Sequence, residues 1–468
     1  MPRPIPTGKS KSASATKKAS RKPVRKPVKV PKWVGLGVAL AGVATLSATA
    51  GALMAVSLNT TPLLQSQLTP AEAAVFNQDD PIASGNSLRL PRLTRPVNIL
   101  VLGVKVLSSD VEGGEEITEE LGYHALMNSF EGLSDTMLLI RFNPRTEEMV
   151  VMSIPRDTRM RINGRMTKIN EANRDGGPAL TAESISDLLG GISIDRYVRI
   201  NVQGVEKLVD ALGGVTVNVP KDMKYQDDSQ HLYINLKAGE QKLDGDQALQ
   251  FLRFRYDEFG DIGRVQRQQM LMRAVVEQAL NPATIARLPK ILSVIQSHVD
   301  TNLAVEELVA LVGYASKTDR SGVQMLMLPG EFSDPGEFSR SYWLPHYATI
   351  DEVVEQYFEL GDTQLAEAAN PAYLRIAIQD STDDELAVQS LIDTLYDSGY
   401  NNVFVDRDFD RPLQDTRVVA QRGDRASADL IRRIMSVGEV RVESTGNLDS
   451  DITIQLGSDW VSEHGEAL

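Results

Sequence analysis

The sequence of 468 residues contains no cysteine, and its five histidines are scattered along the chain. The absence of cysteine excludes disulfides, thiolate zinc sites and a cysteine nucleophile. None of the histidines shows the spacing of paired metal ligands; they are His124, His231, His298, His346 and His464. The G-x-S-x-G elbow, the P-loop and the G-x-G-x-x-G motif are missing as well. Arginine and aspartate therefore remain as the candidate chemical groups.

Acidic residues are absent from the first 32 residues, which carry eleven lysines and arginines. The rest of the chain holds 38 basic and 63 acidic side chains, a net charge of −25. A body this acidic is not a general nucleic-acid binder. We interpret residues 1–32 as a disordered cytoplasmic tail that touches anionic lipid, with nucleic-acid binding by the tail as the second interpretation.

Charged residues are also absent from the 26 residues between Trp33 and Leu58. A helix of this length spans about 30 Å of hydrocarbon. The basic flank before it predicts a single-pass anchor in the cytoplasmic membrane, with the N-terminus inside and the acidic body outside. A cleaved signal peptide is the alternative, because the small residues of S-A-T-A-G-A resemble a cleavage site.

Composition predicts five parts: a basic tail 1–32, a transmembrane helix 33–58, a linker 59–95, a large domain 96–361 and a small domain 371–460. In the large domain, P-V-N-I-L-V-L-G predicts a buried strand. The runs T-M-L-L-I-R-F and M-V-V-M-S-I-P, joined by N-P-R-T-E-E, predict a β-hairpin. Residues 106–133 are predicted to form an acidic inserted loop, which either gates a site or is exposed to solvent. Strands alternating with helices predict a βαβ-type fold for the small domain.

Four arginines lie within fifteen residues; they are Arg253, Arg255, Arg264 and Arg267. The segment from Ile262 to Leu280 predicts a helix with Asp261 as its N-cap. Its apolar positions fall on one side, and Arg264 and Gln268 fall within that arc. An inward arginine at a helix N-terminus needs an anionic partner. A bound phosphate meets this need, and so does a structural pair with Asp261 or Asp257; both alternatives stay open at this point.

Two polar groups stand at the ends of predicted strands. Asp135 opens one strand within S-D-T, and Arg156 closes the next within S-I-P-R-D-T. Each also has a structural interpretation, since Asp135 suits a turn cap and Arg156 suits a local ion pair with Asp157. Together with the arginine stretch, they are the groups that a phosphoryl-transfer or diphosphate site needs. Arginines bind phosphate oxygens in bidentate fashion, and a carboxylate holds magnesium or takes a proton from a hydroxyl.

Eight motifs follow one another between Val97 and Ala279: N-I-L-V-L-G, S-D-T-M-L-L, S-I-P-R-D-T, K-I-N-E-A, I-D-R-Y-V-R-I-N, V-D-A-L-G-G-V, L-D-G-D-Q-A-L-Q-F-L-R-F-R and G-D-I-G-R-V-Q-R-Q-Q. In this order they resemble the LytR–CpsA–Psr family of membrane-anchored, extracytoplasmic glycopolymer transferases. The last two motifs are the most specific. Residues 372–457 more weakly resemble the LytR-type C-terminal domain found behind some members.

The resemblance implies an α/β (α+β) fold, a three-layer αβα sandwich around a largely antiparallel mixed sheet, with an apolar pocket for a polyprenyl chain. It implies a phosphotransferase that moves a glycopolymer from a polyprenyl diphosphate carrier to peptidoglycan or another envelope acceptor through a phosphodiester. The diphosphate is expected to contact Arg156, Arg253, Arg255, Arg264, Arg267 and Gln268, with Asn201 as a further candidate. The catalytic residues are expected to be Asp135, Arg156, Asp261 and Arg264. In this set Asp135 binds magnesium or acts near the hydroxyl, and Asp261 orients Arg264. A diphosphatase side reaction, with water as the acceptor, suits the same site.

The sequence departs from the family at two positions. The family usually has a metal-ligating aspartate shortly after the L-G of its first strand, where this chain has Lys105. It often has an arginine before S-D-T, where this chain has Leu133. An ammonium group cannot ligate magnesium but neutralises phosphate, so Lys105 is predicted to join diphosphate binding in place of the metal, the arginine or both. If magnesium is used, Asp110 is the alternative ligand beside Asp135.

Two other functions fit the same sequence. The altered metal position favours a non-catalytic binder or scaffold for polyprenyl-linked glycans, which tight carrier binding without turnover would reveal. The basic tail favours a membrane-tethered regulator of envelope assembly, in which deletion of residues 1–30 would abolish function.

Overall fold

The computed structural model describes residues 68–76, 80–86, 89–105, 130–227, 232–254, 260–315, 317–318, 322–334, 336–359, 369–409, 411–447 and 449–464. The predicted tail 1–32 and the predicted transmembrane helix 33–58 lie outside these ranges. Within them, no helix combines the length and the apolar composition needed to cross a membrane.

The strands in chain order are β1 Ala83–Asn86, β2 Arg89–Leu93, β3 Val97–Lys105, β4 Leu133–Asn143, β5 Glu148–Ile154, β6 Arg159–Ile162, β7 Arg165–Lys168, β8 Arg196–Asn201, β9 Val215–Val219, β10 Met223–Asp227, β11 Leu232–Leu236, β12 Gly239–Leu243, β13 Val299–Thr301, β14 Val323–Met327, β15 Gly330–Phe332, β16 Trp343–Pro345, β17 Arg375–Asp380, β18 Asn402–Val405, β19 Arg417–Ala420, β20 Glu439–Val442 and β21 Ile452–Leu456.

The α-helices are α1 Pro70–Ala74, α2 Glu171–Leu188, α3 Val202–Leu212, α4 Gly245–Arg253, α5 Gly260–Leu280, α6 Leu288–His298, α7 Val305–Ala315, α8 Tyr347–Val354, α9 Glu385–Asp397, α10 Arg425–Met435 and α11 Ser458–His464. Short 3₁₀ turns occupy Pro282–Arg287 and Pro371–Tyr373, and a π-turn at Glu355–Glu359 follows α8.

The central sheet has six strands in the order β13, β8, β3, β4, β5 and β14. The pairs β13–β8, β3–β4 and β4–β5 are antiparallel, and β3–β8 and β5–β14 are parallel. This is the largely antiparallel mixed sheet predicted from the sequence. The predicted hairpin is β4 and β5, with Ile140 opposite Val151.

Helices cover both faces of this sheet, because successive residues of a strand point to opposite sides. On one face Leu100 and Leu102 join a buried cluster that includes Ile185 of α2. On the other face Ile99 joins a cluster that includes Leu311 of α7. The result is a helix–sheet–helix arrangement around two apolar layers.

The predicted arginine-bearing helix is α5, but one detail of the prediction was wrong. The helix begins at Gly260, so Asp261 lies in its first turn and not at the N-cap; the helix dipole favours a carboxylate at either place. The predicted apolar side of the helix packs against two clusters. Leu271 packs into a cluster with β9 and α4, whereas Met272 packs against the central sheet.

The described part of the predicted linker 59–95 is folded. Thr69 caps α1 in a reciprocal capping box with Glu72, and β1 pairs with β2 as an antiparallel hairpin. Ile82 is fully buried in the same cluster as Leu311. Pro91 is tolerated because β2 belongs to a two-stranded sheet with a free edge, where a missing N–H breaks no ladder bond.

The small domain contains a five-stranded sheet in the order β18, β17, β21, β19 and β20. Three of its strand pairs are parallel, and β19–β21 is antiparallel. Helices alternate with these strands, as the sequence predicts. The domain meets the central sheet at its edge strand β14, where Met325 forms a parallel bridge with Glu443 and the Met327 N–H donates to Ser444 Oγ at 3.0 Å.

Candidate active site

The register of the central sheet brings the last residues of β3 and β8 and the first residues of β4 to the same end of the sheet. Val104 lies opposite Ser134 on one side and opposite Asn201 on the other. Because neighbouring strands are about 4.8 Å apart, the backbone positions of Lys105, Asp135 and Asn201 lie near one another at this edge. The topology therefore gathers three predicted site positions that are far apart in sequence.

Asp135 is the extra residue of a β-bulge. Gly103 lies opposite Thr136 and Val104 lies opposite Ser134, so that Asp135 has no opposite residue on β3. A bulge bends its strand and turns a side chain away from the regular pattern. The carboxylate of Asp135 is therefore presented at the sheet edge by the strand itself and not by a turn.

Asp135 and Arg156 form the central ion pair of the site. Arg156 Nη1 donates to Asp135 Oδ1 at 2.6 Å, and the two side chains are 23% and 25% exposed. Partial burial strengthens such a pair relative to one in water, while the remaining exposure leaves both groups open to a ligand. The two strand-end residues singled out in the sequence are thus in direct contact.

A second carboxylate fixes the loop that carries Arg156. Asp157 is 6% exposed; its Oδ2 lies 3.5 Å from Arg156 Nε, and its Oδ1 accepts from Lys168 Nζ at 2.8 Å. The local Arg156–Asp157 pair considered from the sequence is therefore present in addition to the Asp135 pair. Lys168 was not among the predicted site residues, although it opens the K-I-N-E-A motif.

Helix α5 approaches the same ion pair through Gln268. Gln268 Nε2 donates to the backbone carbonyl of Asp135 at 3.4 Å. Arg264 lies four residues earlier, on the same face of the helix. Residue Arg255 lies outside the described residues. For Lys105, Asp261 and Arg264 the structure describes the strand or helix that carries them but not their side chains.

Arg267 has a supporting position. It is 3% exposed; its Nη2 donates to the Phe254 carbonyl at 2.7 Å, and its guanidinium lies 5.7 Å from the centre of the Phe254 ring. Arg253, half-buried, is the last residue of α4, whose start is fixed by a capping box at Asp244. Arg267 thus ties α5 to the segment that follows Arg253.

Asn201 caps helix α3. Its Oδ1 accepts from the Gly204 N–H at 2.8 Å, and its side chain is 2% exposed. An asparagine directly before an amphipathic segment that ends at Gly213-Gly214 is an N-cap signal in the sequence. The sheet register places Asn201 beside the site. Its carboxamide oxygen, however, is already used to cap the first turn of α3.

The described residues do not form a ready-made magnesium site. No group of three or more histidine, aspartate or glutamate residues gathers among them. Magnesium prefers octahedral oxygen ligands, commonly one or two carboxylates completed by water and phosphate. Asp135 is the carboxylate placed for this role, and it is paired with Arg156. To ligate magnesium, Asp135 would have to exchange its contact with Arg156 for the metal, and the use of magnesium stays a prediction.

A small apolar cavity lies between the central sheet and α5. Thr136 and Gln268 line it near Asp135, and Leu138 and Met272 line it farther in. It measures about 20 Å³, enough for a water molecule and too little for a hydrocarbon chain. The apolar pocket for a polyprenyl chain that the resemblance implies therefore stays a prediction.

Comparison with known proteins agrees with the motifs. Residues 66–359 match the model of the LytR_cpsA_psr family, and residues 373–460 match a domain described as LytR cell envelope-related transcriptional attenuator. The polyisoprenyl-teichoic acid–peptidoglycan teichoic acid transferase TagU of Oceanobacillus iheyensis is 34% identical over 268 residues, covering 56% of this chain and 73% of that protein. The transferase TagV of Bacillus subtilis is 31% identical, covering 48% of this chain and 58% of its own length.

The crystal structure of B. subtilis TagV aligns with 56% of this chain and 95% of the TagV chain, at 28% identity and a TM-score of 0.46. The match to the family model extends over more than half of the 468 residues. The order of the motifs and this match lead to one conclusion: the chain belongs to the LytR–CpsA–Psr family.

Proposed function

We propose that this protein transfers a glycopolymer from a polyprenyl diphosphate carrier to peptidoglycan or a related envelope acceptor, forming a phosphodiester. The observation that carries the proposal is the Asp135–Arg156 pair, which α5 contacts through Gln268, a residue that also lines an apolar cavity. A carrier lipid with a diphosphate head needs a cationic site next to an apolar one. The relatives named as teichoic acid transferases support the same reaction class.

The reaction follows from the ion pair. A diphosphate that binds Arg156 competes with Asp135 for the guanidinium, because arginine prefers bidentate contact with phosphate oxygens. Asp135 is then free to accept the proton of the acceptor hydroxyl. The hydroxyl oxygen bonds to the sugar-proximal phosphorus, and the bond from that phosphorus to the bridging oxygen breaks. Polyprenyl phosphate leaves, and arginines of the 253–267 stretch stabilise its negative charge.

The same proposal places the reaction outside the cytoplasmic membrane. Residues 33–58 anchor the chain, residues 1–32 stay in the cytoplasm, and the domains beyond them face the envelope. A carrier lipid enters from the membrane, and its glycan and the acceptor lie on the envelope side. The acidic surface of the body is compatible with these partners and with the absence of a nucleic-acid role.

The variant Arg264→Ala tests the arginine stretch. We expect turnover of a lipid-linked donor to fall by about 10²–10³-fold, the usual cost of removing one group that stabilises developing charge. The midpoint of thermal unfolding stays unchanged. Arg287→Ala, which removes an arginine beyond the C-terminal end of α5, is the control and retains turnover. A folded Arg264→Ala protein with full transfer activity contradicts the proposed role of the stretch.

Lys105 makes a separate prediction about metal. We expect transfer to persist in excess EDTA, because the ammonium group of Lys105 supplies the charge that a metal supplies in relatives with aspartate at this position. Lys105→Asp is expected to make the reaction sensitive to EDTA and restorable by magnesium. Loss of wild-type transfer in EDTA, with recovery on addition of magnesium alone, counts against this role and favours Asp110 as the metal ligand.

A further inference from the structure

Lys168 is connected to the candidate site through side chains of alternating charge. Its Nζ lies 2.8 Å from Asp157 Oδ1, and the other oxygen of that carboxylate lies 3.5 Å from Arg156 Nε. Arg156 in turn donates from Nη1 to Asp135 Oδ1 at 2.6 Å. The four side chains are therefore connected in the order Lys168, Asp157, Arg156 and Asp135, with the proposed proton acceptor at the outer end.

The inner end of this network is shielded from water. The side chains of Asp157 and Lys168 are 8% and 18% exposed. Partly buried charges are screened less than surface charges, so each one acts more strongly on its neighbours. A change of charge at Lys168 is therefore felt at Arg156, although the two side chains are separated by a carboxylate.

The backbone holds the segment that carries Lys168 against the site. Strand β7 ends at Lys168. Two residues farther on, the Asn170 N–H donates to the Arg156 carbonyl at 3.2 Å, and the Asn170 carbonyl accepts from the Ser134 N–H at 3.2 Å. Ser134 directly precedes Asp135. The segment is thus fastened both to the loop of Arg156 and to the strand of Asp135.

An aromatic ring restricts the ammonium group of Lys168. The Nζ atom lies 5.7 Å from the centre of the Tyr342 ring, and Tyr342 is buried. Lysine has a flexible four-carbon stem, so the ring and the Asp157 carboxylate together hold the ammonium in place. The neighbouring cation Arg159 is directed elsewhere, since its guanidinium lies 4.7 Å from the centre of the Phe338 ring.

The charge of the network shows what Lys168 contributes. Without the lysine, two aspartates and one arginine carry a net charge of −1; with Lys168 the four side chains are neutral. A diphosphate is an anion, and a guanidinium between two unbalanced carboxylates attracts it weakly. Because Lys168 neutralises Asp157, Arg156 has only Asp135 to exchange for a phosphate oxygen. Asp157 meanwhile stays at Nε and leaves the two Nη groups for the ligand.

From these contacts we infer that Lys168 is a positioning residue for the transfer reaction. Through Asp157 it fixes the guanidinium of Arg156 and preserves the positive charge of Arg156 for the diphosphate of the donor. Lys168 acts without touching the diphosphate itself. The inference rests on the proposed function, since it takes the ligand of Arg156 to be a diphosphate.

The test measures binding of inorganic diphosphate to the full chain by calorimetry at constant ionic strength, and KM and kcat for a lipid-linked donor. Lys168→Gln keeps a hydrogen-bond donor for Asp157 but removes the charge. It is expected to weaken diphosphate binding by about tenfold and to raise KM more than it lowers kcat, because Asp135 is unchanged. Lys168→Arg keeps the charge and is expected to keep most of the affinity.

The double variant Lys168→Gln/Asp157→Asn separates positioning through Asp157 from simple packing. It removes one charge of each sign and leaves the network neutral, so diphosphate affinity is expected to return to the wild-type value. If Lys168→Gln fails to fold, Asp157→Asn alone carries the test. Removal of the carboxylate that Lys168 neutralises is expected to strengthen diphosphate binding, and weaker binding overturns the inference.

Lys237→Gln is the matched control, because Lys237 pairs with Asp222 at 2.7 Å in an exposed hairpin; it is expected to keep the wild-type values. If the wild type binds diphosphate and Lys168→Gln binds it equally well, or if the double variant binds no better than Lys168→Gln, the positioning role is refuted while the transferase proposal stands. If the wild type binds no diphosphate, the proposed diphosphate site fails, and the inference fails with it.

Discussion

Replacing Asp135 by asparagine is expected to lower the rate of glycopolymer transfer by about 10²–10⁴-fold, the range for loss of a general base. The carboxamide keeps the shape of the side chain but accepts a proton poorly. It also removes the negative charge that Arg156 contacts at 2.6 Å, while Asp157 stays 3.5 Å from Arg156 Nε. We therefore expect binding of the diphosphate to be kept or strengthened while turnover falls, so that KM does not rise with the loss of kcat.

Asp222→Asn is the matched control for Asp135→Asn. Asp222 makes the same kind of contact, with Lys237 at 2.7 Å, but in an exposed hairpin. Transfer by this variant is expected to equal that of the wild type. If Asp135→Asn loses donor affinity in proportion to its turnover, Asp135 contributes to binding and not to proton transfer, and the mechanism proposed above is incorrect.

The largest effect on stability is expected at the buried pair of Arg199 and Asp300. Arg199 Nε donates to Asp300 Oδ2 at 2.6 Å, and the two residues are 5% and 2% exposed. Burial, and then the neighbouring Asp300 carboxylate, raise the pKa of Tyr197, whose hydroxyl donates to Asp300 at 3.3 Å. Asp300→Ala leaves a buried guanidinium without this carboxylate and should cost about 3–5 kcal/mol of unfolding free energy.

Urea unfolding measures this cost. The double variant Arg199→Leu/Asp300→Leu removes both charges and should recover most of the loss, since apolar replacement of a complete buried pair is often neutral. Arg340→Ala breaks an exposed pair with Glu171 and should cost less than about 1 kcal/mol. A loss below about 1 kcal/mol for Asp300→Ala would mean that the Arg199–Asp300 pair does not stabilise the sheet edge.

Much of the fold could be predicted because it follows periodic patterns. The apolar alternation on both sides of N-P-R-T-E-E gives the β4–β5 hairpin, and the motif order gives the family. The bulge at Asp135 could not be predicted, because one extra residue in a strand changes no composition and is defined only by its partner strand. The contact of α5 with two clusters could not be predicted for a similar reason, because a helix wheel shows one apolar arc and not the number of clusters that it meets.

The sequence predicted several residues of the candidate site, but it did not predict the contacts between them. Strand ends pointed to Asp135 and Arg156, but their ion pair depends on the register between β4 and β5. Arg267 was expected to contact the diphosphate, whereas its contact with the Phe254 carbonyl depends on the path of the chain between α4 and α5.

The most direct test of the central claim is to identify the lipid product. The purified full chain, in detergent or in lipid vesicles, is given a polyprenyl diphosphate-linked glycan and a peptidoglycan acceptor, and the released lipid is analysed by mass spectrometry. We predict that polyprenyl monophosphate is released, and that its amount equals the amount of glycan joined to the acceptor through a phosphodiester. Release of polyprenyl diphosphate, which would place bond breakage at the sugar carbon, or tight donor binding with no release of lipid, would contradict it.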